Sequence, residues 1–383
     1  MDLGDVMNEK TRYLKGLVKE VHIENFKCFE KFTIKGLNRI NIFYGDNDSG
    51  KTALLEAIYT AFSNTNPTNV FLLLRGFPFG IVEGSTEDSW DLLFFKFNKD
   101  GNEKIKLKVV FENGESLETN LSKPFLHKDI TVQTQELRQS INPHSLFIGW
   151  RYGEAFREAI INIITPQEAQ RFAGIQQSIP FTFSTGISVI PYGGLNFTLK
   201  PVYFFTSVGK PSTEALTAIY GEIVKENLKD RLLESIKKIK PEVEEIDTIN
   251  FAGIFSVAVK FKNDNNYYPI NAVGEGFSKI FTLVSLLIKN RNGILLIDEI
   301  ENGLYWKVQP VFWESVEYLV ERFNVQLFIA THSYEFLSNV VKLTKNPDNI
   351  SGFTMIKAKG NIEYLKLTGK DFKKAIEANI EVR

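Results

Sequence analysis

The sequence is poor in cysteine, which limits the kinds of fold and site that it can build. Cys28 is the only cysteine among 383 residues. A single cysteine cannot form an intramolecular disulfide or a multi-cysteine metal site within one chain. This scarcity excludes the disulfide-stapled secreted domains and fits a reducing cytoplasm.

The sequence also lacks long apolar runs. No window approaches the roughly 20 apolar residues that a membrane-spanning helix requires. The N-terminus carries Asp2, Asp5 and Glu9 without an apolar stretch, unlike a secretory signal. We therefore expect a cytoplasmic protein that has no membrane partner.

An excess of charge of either sign is missing as well. Lys and Arg total 45, Asp and Glu total 46, and the formal net charge is -1. Such a balance gives no global attraction to polyanions, so any nucleic-acid surface must be a local patch. Clusters such as 237–240 and 370–374 could contact phosphates, although such clusters are more often solvated faces.

What is present is the composition of a folded protein with a large core: 43% hydrophobic and 24% charged residues. The patterns divide the chain into three segments. Residues 1–65 are expected to form the N-terminal part of a nucleotide-binding core, residues 66–242 an insertion of antiparallel strands and helices, and residues 243–383 the C-terminal part of the core. Continuous apolar runs at 294–297 and 327–330 are typical of strands buried on both faces of a parallel sheet.

Residues 45–52 match the phosphate-loop pattern G-x-x-x-x-G-K-[ST]. An apolar strand precedes the pattern and a helical period follows it, which favours a functional loop over a chance one. Backbone N–H groups of such a loop surround phosphates, while the lysine reaches the terminal phosphates and the threonine ligates magnesium. The expected nucleotide contacts here are Gly45, Asn47, Ser49, Gly50, Lys51 and Thr52.

Two further patterns supply candidate catalytic groups. Asp298 and Glu299 end the strand 294–297. A metal would occupy the first carboxylate, while the second, as general base, would accept a proton from the attacking water. His332 follows the strand 327–330 and could hydrogen-bond a γ-phosphate. Either pattern alone is weak, because carboxylates and histidines often cap strands.

A glycine-rich turn opens a later apolar helix. Gly274, Glu275 and Gly276 stand at its start. Because a helix N-terminus attracts anions, this turn is a second candidate phosphate site. The phosphate loop already surrounds the chain's own nucleotide, so the turn could serve a partner's nucleotide. The alternative is a simple helix-entry turn.

Taken in order, these motifs resemble those of the ABC-type ATPases. The strand at 21–29 and the helix start at 50–58 are most similar to the branch of RecF, the SMC proteins and the OLD-type ATPases. The resemblance implies an α/β fold: an ABC-ATPase head with a mixed β-sheet N-lobe, a parallel-sheet P-loop core and an α+β insertion between its two halves. It also implies ATP and Mg2+ as ligands, and a homodimer or higher homo-oligomer with ATP at the interface.

The resemblance assigns the remaining roles. Lys51, Glu299 and His332 would be catalytic, Thr52 and Asp298 would hold the metal, and residues 299–302 would cross the dimer interface. The family usually has a serine where this chain has Gly274, so backbone N–H groups, with help from Ser278, would contact the γ-phosphate. Gln133 and Gln135 are candidates for the family's magnesium-contacting glutamine, and solvated strand positions are the alternative.

The biological role stays open between three hypotheses. The first is a stand-alone OLD-like ATPase in anti-phage defence with a separate effector such as a nuclease, since the roughly fifty residues after His332 are too few for a Toprim domain. The second is a RecF-like DNA repair clamp that binds DNA. The third is a nucleotide-gated scaffold with little turnover. A transporter ATPase is disfavoured by the N-terminal strand.

Overall fold

The computed structural model describes most of the chain in separate ranges. They are residues 12–13, 16–63, 89–97, 103–123, 145–163, 187–192, 197–205, 212–251, 253–305, 307–358 and 360–377. Two compact units result: residues 1–36, 56–200 and 357–363 form the first, and residues 37–55, 201–356 and 364–383 form the second. The division into three consecutive segments stays a prediction.

Strands and helices are numbered here in chain order over the described residues. The strands are β1 Arg12–Tyr13, β2 Val18–Phe26, β3 Phe29–Lys35, β4 Ile40–Tyr44, β5 Ile105–Phe111, β6 Ser116–Ser122, β7 Ser145–Tyr152, β8 Ala155–Ile163, β9 Ile187–Tyr192, β10 Phe197–Thr198, β11 Val202–Phe205, β12 Val243–Phe251, β13 Ile254–Phe261, β14 Tyr267–Pro269, β15 Ile294–Asp298, β16 Gln326–Ala330, β17 Ile350–Ala358 and β18 Asn361–Thr368. The helices are α1 Lys51–Ala61, α2 Thr213–Lys225, α3 Lys229–Ile239, α4 Ile270–Val273, α5 Glu275–Lys289, α6 Gln309–Arg322, α7 Tyr334–Leu343 and α8 Gly369–Glu377.

The first unit is built on an antiparallel meander. Its seven-stranded sheet has the order β3-β2-β5-β6-β7-β8-β9, and its strand pairs are antiparallel. Along β5, burial alternates as the sequence pattern predicts, with Ile105, Leu107 and Val109 at most 1% exposed. The hydroxyl of Thr119 donates to the carbonyl of Ala61 at 3.0 Å, so the end of α1 is bonded to β6.

The second unit contains a six-stranded sheet of order β11-β15-β16-β4-β17-β18. Its pairs from β11 through β17 are parallel. All five residues of β4, of β15 and of β16 are buried, which explains their continuous apolar sequences. The register sets Asp298 beside Ala330, and Ala330 beside Phe43, so the strand ends that carry the motifs lie along one edge.

Helices cover this sheet and complete the core of the second unit. In α2 and α3, Leu216, Ile223, Leu232 and Ile236 are at most 2% exposed and belong to one hydrophobic cluster with α5, α6 and α7. The buried faces of these two helices therefore form part of the core. A three-stranded antiparallel sheet, β12-β13-β14, leads into α4 and α5. Within the described ranges, no helix is both long and apolar enough to cross a membrane.

Candidate nucleotide-binding site

The phosphate loop connects β4 to α1, and its glycines are required by the backbone. Gly45 has φ +129°, and a Cβ there would lie 2.4 Å from the carbonyl oxygen of Met355. Gly50 has φ +85°. Both values lie in the region that L-residues avoid, so glycine is needed for the loop to turn into the helix. Ser49 is 2% exposed, whereas Asn47 lies on the surface of the loop.

Lys51 is folded back over this loop. Its Nζ donates to the carbonyls of Gly45 at 2.8 Å and Asp46 at 2.6 Å, and it lies 3.3 Å from Oγ of Ser49. Burial lowers the pKa of Lys51, while the Asp298 carboxylate acts in the opposite direction. The ammonium therefore stands at the mouth of the loop, where anionic oxygens could replace the two carbonyls as its partners.

Thr52 and Asp298 meet although 246 residues separate them. The threonine Oγ1 donates to Oδ1 of Asp298 at 3.1 Å, and Asp298 is 4% exposed at the end of β15. A hydroxyl and a carboxylate at this spacing are oxygen ligands suited to a hard divalent cation. In the part of the chain that the structure describes, no group of three or more His, Cys, Asp or Glu side chains could hold a metal.

Glu299 begins a tight turn after β15. Its φ is +51°, unusual for a non-glycine residue. Its N–H donates to the carbonyl of Ala330 at 2.9 Å, and its Oε2 accepts a hydrogen bond from Nδ2 of Asn302 at 2.6 Å. The candidate general base is therefore placed directly beside Asp298, with its carboxylate held by its own turn.

Glu301 is a functional candidate that the sequence reasoning did not single out. Its carboxylate accepts hydrogen bonds from Oγ1 of Thr331 at 2.8 Å and from the N–H of His332 at 3.1 Å. The His332 ring nitrogen Nδ1 lies 3.3 Å from the same carboxylate. The Glu301 side chain is 9% exposed and that of His332 is 49% exposed. Glu301 thus orients the histidine while leaving its ring accessible.

The glycine-rich turn of residues 274–276 at the start of α5, called the signature turn from here on, is exposed at Gly274 and Glu275. Gly274 has φ +133° and ψ +155°, and α5 has no side-chain hydrogen bond at its N-cap. Gly276 packs on the following turn, because a Cβ there would lie 2.9 Å from the carbonyl oxygen of Gly303. Ser278 is 3% exposed, and its hydroxyl donates to Oδ1 of Asn271 at 2.9 Å. In this arrangement its hydroxyl bonds within its own chain, and a contribution of Ser278 to binding a γ-phosphate stays a prediction.

The structure thus brings the phosphate loop, Asp298, Glu299 and His332 to one edge of the parallel sheet, whereas the turn at 274–276 lies at the start of α5. Gln133 and Gln135 lie outside the described residues. Sequence reasoning missed Glu301 and Lys279. The sequence offered one signal for each: Glu301 is a third acidic residue just after the end of β15, and Lys279 lies one turn into α5.

Comparison with known proteins identifies a matching family model, sequence relatives and similar solved structures. A family model described as "AAA domain, putative AbiEii toxin, Type IV TA system" matches residues 40–338. An ATP/GTP phosphatase of Helicobacter pylori is 21% identical over 348 residues, which cover 87% of this chain and 90% of that protein. The DNA replication and repair protein RecF of Ruminiclostridium cellulolyticum is 47% identical over 47 residues, which are 12% of this chain and 13% of that protein. The SMC head domain from Thermotoga maritima is 11% identical, with a TM-score of 0.45 over 91% of this chain and 98% of that domain.

The phosphate loop, the acidic strand end and the histidine after the neighbouring strand define a class. The chain is a P-loop ATPase by its family, and the α/β fold expected from the sequence is confirmed. Because the family model spans residues 40–338, the chain belongs to the family described as "AAA domain, putative AbiEii toxin, Type IV TA system".

Proposed function

We propose that this chain hydrolyses ATP with Mg2+ in the interface between two copies of itself. The observation that carries the proposal is the bond between Thr52 and Asp298, with Glu299 as the next residue. Three roles that phosphoryl transfer requires are thereby adjacent: a phosphate cradle, oxygen ligands for a cation and a carboxylate for the water. The H. pylori protein, named an ATP/GTP phosphatase, supports nucleotide hydrolysis.

Each residue then has a defined task. The loop N–H groups and Lys51 bind the phosphates once Lys51 leaves the carbonyls of Gly45 and Asp46. Thr52 and Asp298 would hold Mg2+, and that ion would supply positive charge against the charge that develops on the phosphate oxygens. Glu299 accepts the proton of the attacking water after it turns away from Asn302. His332, oriented by Glu301, hydrogen-bonds the γ-phosphate.

The signature turn supports the dimeric part of the proposal. Gly274 and Glu275 are exposed at the N-terminus of the 15-residue helix α5, which has no side-chain hydrogen bond at its N-cap, and the N–H groups at a helix start can bind an anion. The phosphate loop already provides an anion site for the chain's own nucleotide. We assign the signature turn to the γ-phosphate of the nucleotide bound by a second copy.

The proposal is tested by ATP turnover and by mass. Replacing Glu299 with Gln keeps the side-chain shape but removes the base, so turnover should fall by about 100-fold or more while ATP still binds. Light scattering of the Glu299→Gln protein with ATP should then show a dimer. Glu314→Gln, an exposed change on α6, is the matched control and should leave both readings unchanged. Undiminished hydrolysis by the Glu299→Gln protein would refute the base assignment.

We further propose a role in defence, in which the ATPase governs a separate effector such as a nuclease. The family description, which names a toxin of a type IV toxin–antitoxin system, supports this direction. Expression of the chain with and without its neighbouring genes in a phage-challenged host tests the role. Equal plaque counts with wild type and with Lys51→Ala would exclude it.

A RecF-like clamp on DNA is the second candidate, favoured by the short RecF match. Two of the lysines that could serve it already have partners. Lys240 forms an ion pair with Glu242 at 2.8 Å, and Lys238 Nζ lies 4.3 Å from the centroid of the Tyr318 ring. Stimulation of ATP turnover by double-stranded DNA would favour the clamp over the defence role.

A further inference from the structure

Lys279 lies on α5, one turn beyond Gly274 and Gly276, and its side chain reaches the turn that follows β15. Its Nζ donates to the carbonyl of Glu299 at 3.1 Å and to the carbonyl of Asn302. It also lies 5.7 Å from the centroid of the Phe205 ring. One ammonium thus bonds both ends of the turn that begins with the candidate general base.

That turn is a backbone conformation that needs support. Glu299 has φ +51°, which is unfavourable for a residue with a Cβ and persists where surrounding contacts hold it. The bonds from Lys279 satisfy two carbonyls of the turn with a charged donor, which is stronger than a neutral one. Without them, the turn would keep the Glu299 N–H bond to Ala330 and the internal bonds from Asn302.

A second contact joins the same two segments. Gly276 approaches Gly303 so closely that a Cβ at 276 would lie 2.9 Å from the carbonyl oxygen of Gly303. The start of α5 and the turn at 299–303 are therefore bonded at Lys279 and packed backbone to backbone at Gly276. A displacement of the signature turn would be transmitted to the backbone of Glu299.

We infer that Lys279 is a positioning residue, which fixes the backbone of Glu299 and links the signature turn of a chain to the catalytic turn of that same chain. This inference rests on the proposed function, because it assumes that Glu299 serves hydrolysis. Lys279 acts through Glu299 and does not touch the nucleotide. Its removal therefore changes kcat and leaves nucleotide binding nearly unchanged.

The test compares Lys279→Met, Lys279→Arg and Lys289→Met by steady-state ATP turnover. Lys289 is the matched control, since it is a partly buried lysine on the same helix whose partners are Glu222 at 2.6 Å and the Tyr203 ring. We expect Lys279→Met to lower kcat by about 10- to 100-fold with the KM for ATP within about threefold. Lys279→Arg should recover most of the loss, because a guanidinium also donates to carbonyls, and Lys289→Met should match wild type.

Hydrogen exchange of the nucleotide-free proteins provides a readout that is independent of activity. The amides of Asn302 and Leu304 bond within the turn, so they should exchange faster in Lys279→Met and at the wild-type rate in Lys289→Met. Unchanged exchange, or a raised KM with unchanged kcat, overturns the inference. A wild-type protein without ATP turnover refutes the proposed function instead, and the exchange data then still decide whether Lys279 holds the turn.

Discussion

Replacing Gly276 by alanine sets two effects against each other. Gly276 is the second residue of α5, and a glycine in a helix interior is less stable than alanine by about 0.5–1 kcal/mol. The new Cβ would lie 2.9 Å from the carbonyl oxygen of Gly303, closer than real Cβ atoms come to any neighbour. Overpacking of this kind costs about 1–3 kcal/mol. We therefore expect a net destabilisation of about 0–2.5 kcal/mol, together with a displaced turn.

The matched control is Gly221→Ala on α2, where a Cβ would meet nothing within 4 Å. This change should stabilise the protein by about 0.5–1 kcal/mol and leave ATP turnover unaffected. Gly276→Ala should instead lower kcat by about 10-fold, because the turn that carries Glu299 moves by a few tenths of an ångström. Thermal unfolding and steady-state turnover of both variants provide the measurement. If Gly276→Ala is as stable and active as Gly221→Ala, the packing argument is wrong.

Three other predictions concern single groups. Glu301→Gln should lower kcat by about 10-fold, because a neutral amide orients His332 less strongly than a carboxylate does; turnover equal to wild type would contradict this. Gly45→Ala should weaken ATP binding at least 10-fold, because the Cβ meets the carbonyl of Met355; titration with a fluorescent ATP analogue measures it, and wild-type affinity would contradict it. Burial lowers the pKa of Lys279 to about 8 from its ordinary 10.5, although Glu301, Glu299 and Glu275 oppose the shift. As the pH rises, Lys279 then loses its proton in the folded chain before it does in the unfolded chain. The free energy of unfolding of the wild type, relative to that of Lys279→Met, should therefore rise between pH 8 and 10.5. Urea unfolding measures this difference, and a difference that stays constant with pH would refute the prediction.

Much of the site could be predicted from sequence, because its parts are contiguous and each has a local physical signature. The loop at 45–52 combines glycines, a lysine and a threonine at fixed spacing between a strand and a helix. The runs ending at Asp298 and before His332 are apolar throughout, which indicates strands buried on both faces. The local sequence pattern was sufficient to predict functional residues wherever they lie together on one short segment.

Other features depend on which segments become neighbours. A lysine at 279 is unremarkable by its position in an amphipathic helix, and only the packing of α5 on the turn after β15 brings it to the carbonyl of Glu299. Ser278 looked available at a helix start, yet it is buried against Asn271. Periodicity specifies which face of a helix is apolar, but it does not specify which polar backbone atoms that face will meet.

The sequence by itself determined the class of this protein, the phosphate loop and the two acidic residues at the end of β15. The tertiary structure alone decided that Glu301 holds Thr331 and His332, and that Lys279 holds the turn of Glu299. The physical reason is that α6 crosses back between β15 and β16 and makes them parallel neighbours, so the residues after their carboxyl ends meet at one edge. Motifs arise from local chemistry, whereas the bonds between motifs arise from strand register and helix packing.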